Sequence, residues 1–322
     1  MRCGVLNFSI GPYELLARRW RMFEELGFDT AWIADDLAVP GYADFESWAL
    51  LAALARETTR MRIGTLISTV RLRHPTFLAA QVITVDHVSG GRAMVGIGAG
   101  EPEQNEVVGN SPWTARETLE RLDEQASILA VLLRGEPIAH AGPLYPTTVV
   151  AMPQPVTRPR PPLVIAAHGP MGLRAAARHA DVWNCLGGQV YEGGPNPDRS
   201  NRRSLAGAVA ETRRLMERLD EACGAVGRDA RTLARSVLVF RPETDPFASL
   251  GAFDDVVGAY SDLGLEEITL YWPPLGQAFG EPPSPADEAR FEGIAAQRIA
   301  SRPPTIPQRM NRRGSGSAAP GP

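Results

Sequence analysis

The sequence predicts an α/β fold, a parallel (β/α)8 TIM barrel, with a site at the C-terminal ends of its strands. Short runs of β-branched and apolar residues alternate with amphipathic helical stretches along most of the chain, the pattern of parallel strands joined by crossover helices. Eight strand–helix pairs can be marked in this way. The length of 322 residues, 44% of them hydrophobic, also suits one large core, since barrels of about 250 residues or more fold as one unit.

Cys3 to Ser9 reads as the first strand, and Tyr13 to Leu26 as a helix carrying Leu16, Trp20 and Phe23 on one face until Gly27 closes it. Thr30 to Asp35 is the second strand, with a helix over Phe45 to Thr58. Arg62 to Ile67 is the third, and Pro75 sits in the first turn of the next helix, where a missing N–H does no harm. Ala93 to Gly98 is the fourth, followed by a long helix from Thr114 to Arg134 with Leu119, Leu122, Ala126, Leu129 and Leu133 at helical spacing. Leu163 to Ala167 and Ala180 to Cys185 are strands five and six, bracketing a helix that starts near Pro170. Strand seven is Ser236 to Phe240 and strand eight Glu267 to Tyr271, with helices over Phe253 to Leu263 and Ala286 to Ala300. Residues 1–300 thus form one barrel domain with insertions near 135–162, where a hairpin fits, and 186–200. The tail 301–322, rich in Arg, Pro, Gly and Ser, has little to bury and is expected to be disordered.

Composition excludes several classes of function. The net charge is −4 and no basic run tracks a phosphate backbone, which argues against nucleic acid. There is no lysine, so Schiff-base and P-loop lysine chemistry are both absent. Cys3, Cys185 and Cys223 are odd in number and widely spaced, as expected in a reducing compartment. The first residues turn polar too early for a signal peptide, and no apolar run reaches the roughly 18 to 20 residues that span a bilayer. The expectation is a cytoplasmic protein with a small-molecule substrate, no nucleic-acid or membrane partner, and a homodimeric assembly. The histidines show no metal-ligand spacing, so no metal site is expected.

Residues just past each strand of a parallel barrel face a shared pocket. Strand two ends in Asp35 and Asp36, which cannot both point the same way; one faces the pocket while the other caps or pairs with an arginine. Strand four ends in GAGEPEQN. Its GIGAGE run lacks the third glycine of a dinucleotide fingerprint, and a polar stretch follows where a helix should open. It reads instead as a strand end that lets a flat ligand approach the backbone, with Glu101 beside it as an acid–base candidate. Strand five ends in AAHGP, directly before a helix whose free N–H groups attract phosphate. His74, at a helix start, contacts a ligand or packs locally; His87 and His179 lie late in helices and read as structural.

The stretch RLRHPTFLAAQVITVDHVSGGRAMVGIGAGEPEQNE, residues 71–106, resembles the signature of luciferase-like flavin and deazaflavin oxidoreductases. The match extends through EELGFDTAWIADD upstream and PPLVIAAHGPMGLRAAARHADVW downstream, and weakens after Trp183. The resemblance implies a bacterial-luciferase-like barrel, and GAGE followed by Asn is similar to the branch that uses the deazaflavin coenzyme F420. It implies that Glu101 is a proton donor or acceptor, that Asn105, Ala167, His168 and Gly169 hold the coenzyme phosphate, and that a non-prolyl cis peptide at Leu66-Ile67 backs the ring. Asp35, Pro170 and Cys185 complete the expected coenzyme site. Asp36 lines the pocket as a second catalytic carboxyl, and His74, Arg241 and Trp272 shape the substrate side. Dehydrogenases of the branch have Asp-His where this chain has Asp35-Asp36, and a lysine-rich phosphate pocket. The expected reaction is therefore hydride transfer between F420 and a small organic substrate other than a sugar phosphate. Alternatives are a two-component FMN monooxygenase served by a separate flavin reductase, and a non-catalytic flavin-binding relative.

Overall fold

The computed structural model describes residues 1–37, 45–188, 204–240, 242–272 and 283–302. In chain order the elements are β1 (Arg2–Asn7), α1 (Tyr13–Glu25), β2 (Thr30–Asp35), α2 (Ser47–Glu57), β3 (Arg62–Thr69), α3 (Pro75–Ser89), β4 (Ala93–Gly98), α4 (Gln104–Val107) and α5 (Ala115–Leu132). They continue with β5 (Ile138–His140), β6 (Thr147–Val149), β7 (Leu163–Ala166), α6 (Pro170–His179), β8 (Val182–Gly188), α7 (Leu205–Ala225), β9 (Ala234–Phe240), α8 (Leu250–Ser261), β10 (Glu267–Tyr271) and α9 (Pro285–Ala295). Eight strands close a barrel in the order β1-β2-β3-β4-β7-β8-β9-β10, every neighbouring pair parallel. The TIM-barrel expectation holds.

Strand alternation divides the apolar residues between two cores. One set, including Val5, Ile33, Ile63, Val95, Ile165, Trp183, Val237 and Ile268, faces outward and packs under the helices. The other, Leu6, Trp32, Leu66, Met94, Val164 and Leu238, fills the barrel interior, with Phe8, Ala34, Ile67, Val182, Leu186 and Tyr271 packed against it. At the N-terminal end of the barrel the buried Glu267 carboxylate accepts from Thr30 Oγ1 and Trp32 Nε1, both at 3.2 Å, and pairs with Arg2 Nε at 3.2 Å. That end is closed by a buried polar layer, which leaves the opposite end for a site.

The structure differs from the sequence reading at several strand ends. β3 runs on to Thr69 and β8 to Gly188, because both are paired beyond the points where hydrophobicity fades. The stretch after Gly100 opens one helical turn, α4, in place of a purely irregular passage. Between α5 and β7, β5 and β6 pair as an antiparallel ribbon. Glu124 anchors it, accepting from the Leu144 and Tyr145 amides and contacting His140 Nε2 at 3.1 Å. Arg241, residues 189–200 of the second expected insertion, and residues 303–322 of the expected tail lie outside the described residues.

Candidate active site

The alternation that builds the two cores also decides which strand-end residues face the interior. On β2, Trp32 and Ala34 point inward while Ala31 and Ile33 point outward, so the next inward position is Asp36 and the outward one is Asp35. Asp35 is buried and accepts from Ser68 Oγ and from Arg73, which also bridges to Glu46. Its expected place in the coenzyme site is replaced by a structural ion-pair network. Asp36 is half-buried; desolvation pushes its carboxyl up to about 6, and the charges of Asp35 and Glu101 push the same way. Glu101 lies exposed on the loop after β4, near enough for its charge to act on Asp36.

The wall between them is built on β3 and β4. Leu66-Ile67 is a non-prolyl cis peptide, as expected, and it coincides with a register shift against β4 between Thr65 and Ser68. Across it both Leu66 and Ile67 belong to the interior set. The glycines of β4 serve this close approach: a Cβ on Gly96 would stand 2.5 Å from the Thr65 carbonyl oxygen. Gly100, at φ 64°, turns the chain where a Cβ would lie 1.9 Å from Thr69 Oγ1. The GIGAG run therefore fits strand against strand first.

At the end of β7, Ala167 faces the outer core, its N–H donates to the Asn184 carbonyl and its carbonyl accepts from the Trp183 indole. It has no amide left for a coenzyme phosphate, which corrects its assignment. His168 Nε2 accepts from the Leu186 amide at 2.9 Å, and desolvation holds the ring below its ordinary pKa, so a neutral imidazole has its Nδ1–H available. Gly169 and Pro170 are exposed and start α6, which among the described residues no side chain caps; the N–H groups of Met171 and Gly172 are left for a ligand. Asn105 is buried, and with its amide oxygen turned toward them it accepts from Trp113 N–H at 3.2 Å and Arg71 Nη1 at 2.6 Å. Those contacts hold protein to protein.

Two further expectations are corrected by strand parity. Cys185 lies in the outer core with Trp183; its thiol is fully buried, and burial pushes it up to about 12. Trp272 is likewise outward, its ring stacked on Phe291 at 4.0 Å under α9. Neither reaches the pocket. His74 is exposed, its Nδ1 accepts from the Thr76 amide to cap α3, and its ring meets Tyr145 edge-on at 5.5 Å. In place of Trp272 the barrel mouth carries an aromatic group that the sequence reading missed: Phe8 stacks on Tyr271 at 5.6 Å and Phe240 tilts against it at 5.7 Å. Counting alternate positions back from these strand ends would have found them.

This constellation suits a flat, phosphate-bearing group lying on Leu66 and Ile67, its anion at the α6 N-terminus, with a substrate between two carboxyls and an aromatic wall. The model of a protein family described as luciferase-like monooxygenase matches residues 8–194. An F420-dependent glucose-6-phosphate dehydrogenase of Microbacterium testaceum is 29% identical over 310 residues, 91% of this chain and 80% of that protein. A phthiodiolone/phenolphthiodiolone dimycocerosates ketoreductase of Mycobacterium tuberculosis is 34% identical over 145 residues, 44% of this chain and 37% of that protein. The coenzyme F420 dependent tetrahydromethanopterin reductase of Methanopyrus kandleri superposes with a TM-score of 0.71 at 14% identity, covering 93% of this chain and 98% of that one. The expectation that a sugar phosphate is excluded does not survive: a relative similar over nine-tenths of this chain is named for that substrate class.

Proposed function

The chain belongs to the luciferase-like monooxygenase family, and from that premise we propose that it is an F420-dependent oxidoreductase interconverting a hydroxyl and a carbonyl, with sugar phosphates in its substrate class. Both relatives compared by sequence, a glucose-6-phosphate dehydrogenase and a ketoreductase, are named for that couple. The observation that carries the reading is Asp36, which strand parity turns inward after Trp32 and Ala34 and on which the charge of Glu101 acts at the barrel mouth.

F420, when bound, supplies the carbon that accepts or gives the hydride. The cis Leu66-Ile67 wall would support its ring, and the α6 N-terminus with His168 Nδ1–H would receive its phosphate; the uncapped turn and the open space around Gly169 fit an anion there. Ionised Asp36 would take the hydroxyl proton as the carbon–hydrogen bond breaks and its hydride leaves for the coenzyme, and Glu101 would relay that one proton between Asp36 and solvent. Phe8, Phe240 and Tyr271 exclude water from the reacting carbon. With no lysine in the chain, a substrate phosphate is met by arginine or backbone N–H.

The test is the visible absorbance of oxidised F420 mixed with the purified chain and glucose-6-phosphate, with secondary alcohols and FMN in parallel. Bleaching with the sugar phosphate supports the reading. Tight F420 binding with no bleaching by any hydroxyl compound sinks it.

A homodimer in a cytoplasmic, reducing setting completes the proposal. Support comes from Phe45 and Phe77, 45% and 62% exposed, and from three buried, unpaired cysteines. Among the described residues no helix is long and apolar enough to cross a membrane.

A further inference from the structure

Arg71 is buried, yet nothing in the expected reaction uses it. Its guanidinium donates through Nε to the Ala99 carbonyl at 3.0 Å, through Nη2 to Thr118 Oγ1 at 2.8 Å, and through Nη1 to the Asn105 amide oxygen at 2.6 Å. Its own carbonyl accepts from Asn110 Nδ2 at 3.2 Å, and its cation lies 5.5 Å from the Trp113 ring centroid. Ala99 and Asn105 are the two flanks of the loop that carries Glu101. Next to Asn105, the buried Gln104 accepts from the Leu37 amide at 3.3 Å, and Leu37 directly follows Asp36. One fork thus grips the Glu101 loop on both sides, and α4 ties that loop to the one bearing Asp36.

We propose that Arg71 is the positioning residue of this site, its guanidinium clamping both flanks of Glu101 and, with Gln104, setting Glu101 at a fixed place opposite Asp36. The proposal rests on the reading of Asp36 and Glu101 as the reacting carboxyls. A planar fork with three directed bonds does this where an ammonium would satisfy one partner at a time. The clamp needs no contact with coenzyme or substrate. Asp36 feels the charges of Asp35, which Arg73 holds, and of Glu101, while the Arg71 cation attracts Glu101, Glu103 and Glu117.

The test compares the full chain with Arg71→Met, Glu101→Gln and the double variant, using two measurements that need no substrate. Amide exchange of residues 99–107 should rise about tenfold in Arg71→Met while β3 and β4 keep their protection. The Asp36 carboxyl, followed by carbon-13 titration, should move down from about 6 in Glu101→Gln and also in Arg71→Met. Arg71→Met should add nothing in the Glu101→Gln background, since Arg71 reaches Asp36 through its hold on Glu101. With F420 and glucose-6-phosphate, Arg71→Met should lower kcat about tenfold or more with little change in KM. Unchanged exchange at 99–107, or an Asp36 midpoint that ignores either substitution, overturns the proposal. Full turnover in Glu101→Gln instead overturns the acid–base assignment, and leaves the exchange result to judge the clamp. Should Arg71→Met fail to fold, Thr118→Val removes one bond from an intact arginine and should shift both measurements the same way by less.

Discussion

Asp35 and Asp36 are adjacent and chemically identical, and the fold turns them to opposite faces of β2. Asp35 faces outward into Ser68 and Arg73; Asp36 faces the barrel mouth and Glu101. Breaking the buried pair with Asp35→Ala leaves the Arg73 guanidinium with Glu46 as its one remaining carboxylate, and should lower the unfolding free energy by about 3 kcal/mol in denaturant titration. Asp36 behaves in the opposite way. Its folded pKa of about 6 lies above the ordinary 3.8, so the folded state binds the proton more tightly and stability falls as pH rises from 3.8 through 6. Asp36→Asn should therefore stabilise the protein above pH 6 on the order of 1 kcal/mol, allowing for the carboxyl's partial exposure, with no gain at pH 3. The same substitution should cut turnover at least about a hundredfold, and kcat/KM of the unaltered chain should rise with pH through about 6. A flat profile over that range would remove Asp36 from the chemistry.

Strands β3 and β4 form the wall of the site, and their fit depends on what β4 lacks. Gly96→Ala would place a methyl 2.5 Å from the Thr65 carbonyl, directly before the cis Leu66-Ile67 bond. The strands must part to admit it, which should cost about 2 kcal/mol or more and weaken F420 binding in a fluorescence titration. Beyond β10 the outcome differs. Trp272 stacks on Phe291 beneath α9, so Trp272→Ala should lower stability by about 3–5 kcal/mol while leaving the coenzyme affinity of the folded protein unchanged. A lost affinity at unchanged stability would return Trp272 to the pocket. The hydrophobic character of the YWPP stretch announces a buried indole; the sheet it packs beneath depends on strand parity counted from Glu267.

At the scale of the whole barrel, the two ends are chemically opposed. One is closed by Glu267 with Thr30, Trp32 and Arg2; the other collects Asp36, Glu101, His168 and the aromatic group. A ligand that binds this mouth stabilises the entire closed sheet, because every strand contributes to the ring. Saturation with F420 at a hundred times its Kd should add about 2.7 kcal/mol, which for a domain of this size is a Tm increase of about 5 °C. FMN at the same concentration should shift it less, and an equal shift would count against the deazaflavin assignment.

Period and composition in the chain were enough to reveal eight strand–helix pairs, the order in which they close, and the ends that bear Asp36, Glu101 and His168, because each strand and helix is specified by neighbours a few residues away. The cis peptide was legible only through the family-like run around Leu66 and Ile67. What tertiary structure alone decided is direction. Adjacent residues on a strand point to opposite faces, so one step of register sends Cys185, Ala167 and Trp272 under the helices and brings Phe8, Phe240 and Tyr271 to the mouth. The Arg71 clamp depended on it too: Ala99, Asn105 and Thr118 lie 28 to 47 positions from the arginine that holds them, and only closure of the barrel brings them within a hydrogen bond.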